Sequence, residues 1–428
     1  MTTLMLQILP VWFLALMMGV PLFVSMGLAA VAFAFLGGFP LGIVPQKIAQ
    51  SANSFPLLAA PLFILMGNIM NSAGITDRIF GFATACVGFM RGGLCHANIL
   101  ASVIFAGMSG SAVADAGGVG TLEIKAMQDE GYDAETAAAI TAASATIGPI
   151  IPPSLPMVIY GVTADVSIGG LFIAGIIPGL LMAGALMAMV VYVARKRDLP
   201  RHPFPGARQL WLAYKDAHWA LMTPVILFGG MMAGIFTPTE AAAVATAYAI
   251  VLGLFVYRSF ALKDLPELAV KTVETTGVVL ALVMAAAALG WCLSISRIPQ
   301  VVGPALVDLA GSPIVYLLIV NLLLLFVGCF MEALAAMLIL IPILTPAAAQ
   351  FGINPIQFGL IFVLNLMIGT ITPPVGVVLF VTSKVANISF EAMSRAILPW
   401  LAPLVAVLIA ATLWPPLTTW LPQMIMGR

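Results

Sequence analysis

Ser109, Ser111 and Asp115 lie within the stretch Gly107-Met-Ser-Gly-Ser-Ala-Val-Ala-Asp-Ala-Gly-Gly118, with apolar residues at 99–106 before them and 112–114 between them. Two hydroxyls and a carboxylate are hard oxygen donors. They suit a cation such as Na+ and fit a soft transition metal poorly. An Asp at membrane depth costs about 2.5–3.5 kcal/mol on insertion scales, so a bound cation or a basic partner must offset it. Two plainer readings stay open on the residues alone: an Asp that caps the next helix, or one that reaches water beyond the hydrocarbon.

A second kind of chemistry is backbone chemistry. Ile147-Gly-Pro-Ile-Ile-Pro-Pro-Ser154 recurs as Ile368-Gly-Thr-Ile-Thr-Pro-Pro-Val375, with five of eight positions identical at an offset of 368 − 147 = 221. The same offset pairs Phe105 with Phe326, Gly107 with Gly328, Ala112 with Ala333, Ala114 with Ala335, Gly131 with Gly352 and Pro178 with Pro399. The chain therefore holds two copies of one unit. Pro153 and Pro374 remove backbone donors, and Pro152 and Pro373 bar helical geometry just before them. Gly148, Gly369 and Gly376 permit close approach. Carbonyls freed by such a break can meet a cation and half-helix N-termini an anion, and paired breaks mark the binding site of a secondary transporter.

The elements that hold these residues must span a membrane. The 428 residues are 62% hydrophobic and 8% charged, where a soluble domain is about a quarter charged. Apolar runs at 171–194, 220–236, 241–257 and 314–330 are long enough to cross ~30 Å of hydrocarbon. The run from Ala97 to the Ser-Gly-Ser is short for a full span, so a re-entrant hairpin with its tip near Ser109–Ser111 is expected. By the offset, Glu332 takes the place of Ser111 near a second tip, in Gly328-Cys-Phe-Met-Glu-Ala-Leu-Ala335.

The expected organisation is N-terminal scaffold helices (1–50), a first repeat (51–194), cytoplasmic arms with a central scaffold hairpin (195–275) and a second repeat (276–428). Two N-terminal spans fall at 4–18 and 21–37. No basic region precedes the first, so it reads as mature membrane domain rather than a cleaved signal. The densest basic cluster starts at Arg195-Lys-Arg and is cytoplasmic by the positive-inside rule. Its counterpart at the C-terminus has only Arg428, which favours an inverted repeat. Residues 262–273 read as an interfacial helix, with Leu262, Leu265, Leu268, Ala269 and Val273 on one face. Thr237-Pro-Thr-Glu240 reads as a capping box.

Zero formal net charge offers no field for nucleic acid. Cys86, Cys95, Cys292 and Cys329 sit in apolar segments without metal spacing. No phosphate-binding Gly-x-x-x-x-Gly-Lys-[Ser/Thr] loop and no His-Glu-x-x-His is present. Ser154 has no relay partner in sequence, so an enzyme is not expected. Arg297 could clamp a substrate carboxylate or snorkel at the interface.

Over nearly its whole length the chain resembles the large membrane (M, or DctM-like) subunit of tripartite ATP-independent periplasmic (TRAP) transporters. The markers are Pro61-Leu-Phe-Ile-Leu-Met-Gly-Asn68, residues 107–115, Gly148-Pro-Ile-Ile-Pro-Pro-Ser154, Phe236-Thr-Pro-Thr-Glu-Ala-Ala242 and Gly369-Thr-Ile-Thr-Pro-Pro-Val-Gly376. Glu332 departs from many members of the family, which look more like Asp followed by Thr there. The resemblance implies an all-α polytopic membrane protein of the bacterial inner membrane, with inverted repeats, two re-entrant hairpins and two broken helices. It implies Na+-coupled import of an organic acid by an elevator mechanism, with no cofactor beyond the coupling ion. Two partners are implied: a small four-helix membrane subunit (Q) and a periplasmic substrate-binding protein (P). One Na+ would lie between Ser109, Ser111 and Asp115 and the break at Gly148, Pro149 and Pro152. A second would lie between Gly328–Glu332 and Gly369, Thr370, Thr372 and Gly376. The substrate would sit between the tips, with Pro153, Ser154, Pro374 and Arg297 as its expected contacts. A carboxylate transporter that works alone is the runner-up; a passive channel or a membrane-embedded enzyme has less support.

Overall fold

The computed structural model describes residues 1–197, 199–201 and 203–427, and all of their side chains except those of 107–109. Asp198, His202, Arg428 and the side chain of Ser109 thus lie outside the described residues. The chain opens with α1 (Thr2–Met17) and α2 (Leu22–Leu36). The first copy runs through α3 (Ile43–Ala52), α4 (Ala59–Ser72), α5 (Ile75–Val87), α6 (Gly93–Ser109), α7 (Ala112–Gly117), α8 (Val119–Asp129), α9 (Ala134–Ala145), α10 (Leu155–Ala164) and α11 (Ile168–Arg197). A central pair, α12 (Ala207–Met232) and α13 (Pro238–Val251), follows. The second copy is α14 (Leu265–Ile295), α15 (Ile298–Ala310), α16 (Pro313–Phe330), α17 (Ala333–Gln350), α18 (Pro355–Gly369), α19 (Val377–Ala386) and α20 (Phe390–Leu413), and α21 (Pro416–Met426) ends the fold. Among the described residues there is no strand, and seven helices are long and apolar enough to cross a membrane.

The two copies match element by element at the offset seen in sequence. The start of α6 corresponds to that of α16, the start of α7 to that of α17, and the start of α9 to that of α18. The caps repeat as well. Asp133 accepts a backbone hydrogen bond at the start of α9 and Asn354 at the start of α18. These caps satisfy amides that helix geometry leaves unpaired.

Each copy builds a re-entrant hairpin and a broken helix. In the first copy α6 and α7–α8 are the arms, with the tip at Gly110–Ser111; in the second α16 and α17 are the arms, with the tip at Met331–Glu332. The broken helices are α9–α10 and α18–α19. Packing is reciprocal. The returning arm of the first hairpin lies against α19, and that of the second against α10. Each hairpin thus touches the far half of the other copy's broken helix, as inverted copies about a pseudo-twofold axis require.

Outside this inner group, α14 packs on α2, α3 and α4, α13 packs on α4, and α12 packs on α5 and α13. The central pair is joined by the expected capping box: Thr237 Oγ1 accepts from the Glu240 amide, and Glu240 accepts from the Thr237 amide at 2.8 Å. The amphipathic stretch at 262–273 differs from expectation. It is not a separate interfacial helix but runs directly into the span α14. Of its apolar residues Leu268 is buried, while Leu262 and Val273 are about 70% exposed (71% and 69%). The reason is local: Leu265–Ile295 contains no proline after Pro266, so the span continues outward without a break. Likewise α12 begins well before the apolar run at 220–236. At the C-terminal end of α11 the basic last turn, Arg195–Arg197, complements the helix dipole. Arg197 there donates to Asp133 and Thr136 at 2.8 Å each.

Two backbones cross at Gly328 and Gly369. A Cβ added to Gly369 would sit 2.7 Å from the Gly328 Cα. Gly369→Ala is therefore expected to lower the melting temperature of the detergent-purified chain by the equivalent of about 1–3 kcal/mol, the usual cost of overpacking. Gly277→Ala in α14, where a Cβ meets open space, is expected to leave it unchanged or raise it. Equal behaviour of the two variants would contradict the crossing.

Candidate ion and substrate site

The hairpin tips and the helix breaks converge. Gly110 adopts a left-handed conformation (φ 61) that ends α6 and turns the chain into the tip. A Cβ at Gly110 would lie 3.4 Å from the Pro153 carbonyl oxygen and 3.0 Å from the Leu155 amide. The first tip is thus seated on the first break. Ser111 caps α7 by accepting from the Ala114 amide, and Glu332 caps α17 by accepting from the Ala335 amide at 3.2 Å. The offset predicted that these two residues share a role, and in the structure both are tip caps.

Asp115 is buried in the first turn of α7. It does not reach water, and the cap of its own helix is Ser111. Its Oδ2 packs directly against Gly148, so that a Cβ at 148 would overlap it. The glycine of the break is therefore matched to the carboxylate of the hairpin. From residue 146 to residue 161 the first broken helix is wholly buried.

The break itself is held by side chains. Ser154 is fully buried; its hydroxyl donates to the Pro149 carbonyl and accepts from the Met157 amide at 3.2 Å, capping α10. Both Pro–Pro bonds, Pro152–Pro153 and Pro373–Pro374, are cis.

In the second copy the Gly376 amide donates to the Cys329 carbonyl at 2.9 Å, and the Val378 amide to the Thr370 carbonyl at 3.1 Å. Thr370 Oγ1 donates to Met367 O at 2.6 Å and Thr372 Oγ1 to Ile368 O at 2.7 Å. A hydroxyl whose proton is committed to a carbonyl offers only lone pairs to anything else. Both threonine hydroxyls thus have lone pairs, but no proton, left to offer. Unlike the first break, this one is partly open: Pro374 is exposed and Thr372 and Pro373 are half-buried.

Between the tips lies a narrow cleft of about 40 Å³, lined on one side by Gly110, Ser111 and Pro149 and on the other by Glu332, Thr370 and Val377. Of the residues expected to touch substrate, Ser154 and Pro153 are buried at the first break beside this cleft, and Pro374 lies exposed on the second break. Arg297 is not brought to it. That residue stands exposed in the turn between α14 and α15 with left-handed backbone geometry. The basic character of Arg297 was readable in sequence, but its distance from the tips depends on where the turn falls.

Sequence reasoning missed a polar cluster behind the first tip. The Asn98 amide nitrogen donates to Glu123 Oε2 at 2.7 Å and to Thr141 Oγ1 at 2.8 Å, and Ser144 Oγ donates to Asn98 Oδ1 at 2.5 Å. All four residues are buried. The available signal was inequality between copies, since the offset places apolar Ile319, Leu344 and Phe362 at the positions of Asn98, Glu123 and Thr141.

The comparisons bear on what such a site serves. A family model described as "Tripartite ATP-independent periplasmic transporter, DctM component" matches residues 9–417. The sialic acid TRAP transporter large permease protein SiaM of Vibrio cholerae is 46% identical over 97% of this chain and 98% of its own. The C4-dicarboxylate TRAP transporter large permease protein DctM of Pseudomonas aeruginosa is 41% identical over 88% of each chain. Among solved structures, the Alcanivorax borkumensis YdaH transporter superposes with a TM-score of 0.65 at 15% identity, covering 87% of each chain. That last likeness is one of fold.

The contact between Asp115 and Gly148 makes a prediction. Gly148→Ala is expected to destabilise the chain, and Asp115→Ala to remove most of that cost by deleting the atom the methyl meets. A double-mutant cycle on melting temperatures should give a coupling within the 0.5–3 kcal/mol range typical of residues in contact. Additive effects would contradict the contact.

Proposed function

The chain belongs to the DctM-component family of tripartite ATP-independent periplasmic transporters, and from that premise we propose that it is the large transmembrane subunit of a Na+-coupled importer of an organic acid. The observation that carries this reading is the cleft lined by both hairpin tips and both helix breaks, with a buried carboxylate on one side. Tips and breaks supply oxygen ligands for cations, and the narrow cleft between them would have to widen to admit the substrate.

The coupling follows from electrostatics. A carboxylate entering the cleft meets Glu332 and lies near Asp115, and both repel it. Na+ held by Ser111, Asp115 and the break at Gly148–Pro149, and by Thr370 and Thr372, offsets that repulsion. Ion and substrate then favour each other's binding, and the effect is reciprocal. The mechanism proposed is an elevator, in which the inner group of hairpins and broken helices moves against α1–α4 and α12–α14. The relatives' substrates, sialic acid and C4-dicarboxylates, point to an acidic substrate delivered by a periplasmic binding protein. A small membrane subunit would complete the complex in the bacterial inner membrane.

The test is uptake into liposomes holding the assembled complex, with binding protein loaded with sialic acid or a C4-dicarboxylate outside. An inward Na+ gradient is expected to drive accumulation. Asp115→Ala is expected to reduce it to the level of empty liposomes while the protein keeps its elution profile. Normal Na+-driven uptake by that variant would sink the assignment of Asp115.

A further inference from the structure

Behind the first tip a small enclosed cavity is lined by Ser102, Phe105, Asp115, Val119, Glu123, Thr141 and Ala145. Its free space suits one water-sized occupant. Two carboxylates and two hydroxyls face it from three directions: Ser102 on α6, Asp115 and Glu123 on the returning arm, and Thr141 on α9. Glu123 is 2% exposed. Its Oε2 is held by Asn98 at 2.7 Å, while Oε1 has no hydrogen-bond partner among the described residues. Asn98 cannot serve Oε1, because its two amide hydrogens go to Glu123 Oε2 and Thr141 and its oxygen accepts from Ser144. The amide is thereby fixed, and Glu123 is oriented with one oxygen left over.

The second copy provides an internal control. At the offset, Ser102, Asp115, Glu123 and Thr141 are replaced by Leu323, Ala336, Leu344 and Phe362. Ala336, Leu344 and Phe362 are buried, so these positions pack without an acid in the second copy, where the polar residue at the offset from Ser144 is Asn365, which donates to Asn321 Oδ1 at 2.8 Å. Burying carboxylates costs several kcal/mol unless something pairs them. The fold does not require Glu123, and the protein carries its cost in one copy only. The helix is also shaped to bring the acids inward. The returning arm breaks between α7 and α8 at Gly118, and Gly120 packs so closely on α9 that a Cβ there would lie 2.7 Å from Thr141 Cγ2.

We infer that Glu123, with Asp115, Ser102 and Thr141, forms an inner cation site behind the tip, an all-oxygen pocket for a hard cation of the Na+ class. This rests on the Na+ reading of the first tip and extends it inward, with Asp115 facing the break through Oδ2 and also lining the inner cavity. An ion there neutralises the two acids when the tip is empty and gives the first hairpin a Na+-dependent hold on α9 that the second hairpin lacks.

The experiment is equilibrium binding of radioactive Na+ to the full chain in nanodiscs, for wild type, Glu123→Gln and Ser102→Ala. Melting temperatures in NaCl and choline chloride are measured in parallel. Gln keeps the volume and accepts from Asn98, so the fold is retained. Glu123→Gln is expected to bind one Na+ fewer per chain at saturation. It is expected to melt no lower than wild type in choline chloride, because a buried charge has gone, and to lose part of the Na+-induced rise. Ser102→Ala is expected to weaken the same ion several-fold. An unchanged Na+ count in Glu123→Gln, with a lower melting temperature in choline chloride, would show Glu123 to be structural and overturn the inner site alone. Absence of Na+ binding to wild type would overturn the tip reading and the inner site together.

Discussion

Backbone that leaves helical geometry within a bilayer has no water to turn to, so its polar groups must be met by protein or must line a cavity. This chain meets that constraint twice, at 146–154 and at 370–376. Each solution dictates the surroundings. The first break is closed by Ser154 donating to the Pro149 carbonyl and by the tip glycine Gly110 lying over Pro153. The second is closed by the Gly376 amide on Cys329 and by Thr370 and Thr372 turning their protons back into α18. Re-entrant hairpins follow from this, because only a tip at membrane depth can reach a break at membrane depth. Reciprocal packing of α7–α8 on α19 and of α17 on α10 then makes the cleft a joint product of both copies.

The copies share a fold but not a chemistry. The first has a buried acid beside the break, a second acid behind it, and a wholly buried break from residue 146 to residue 161. The second has hydroxyls, an exposed capping acid in Glu332 and a partly open break. Duplication supplies the geometry, and divergence at a few positions decides what each half can hold. The difference leaves the two halves unlike: the first break is closed around a buried acid, while the second is partly open.

Much of this was legible in the sequence, and the reasons are local. Pro-Pro pairs and glycines in apolar runs have few structural meanings, so the breaks could be read directly. A span too short to cross marked the first hairpin, and one offset carried every inference from one copy to the other. The Thr237–Glu240 capping box was readable because its interactions lie within four residues. What could not be read depends on tertiary direction. Glu123 sits among Thr121, Lys125 and Asp129 in a stretch with the charge pattern of a membrane boundary; only the kink at Gly118 and the packing on α9 turn it inward. The stretch at 262–273 has an apolar face, but whether it lies flat or continues the span is set by the uninterrupted helix that follows. Arg297 had the right chemistry for a carboxylate and the wrong turn to deliver it.

The central claim is that the first hairpin and the first break together hold Na+. It is tested most directly by the melting temperature of the purified chain in NaCl against equal KCl and choline chloride, with Asp115→Ala alongside. A ligand that binds only the folded state adds RT ln(1 + [L]/Kd), about 1.4 kcal/mol at ~10 times Kd. The account predicts a rise specific to Na+ that Asp115→Ala abolishes. Equal melting in all three salts, or a Na+-specific rise that persists in the variant, would contradict it.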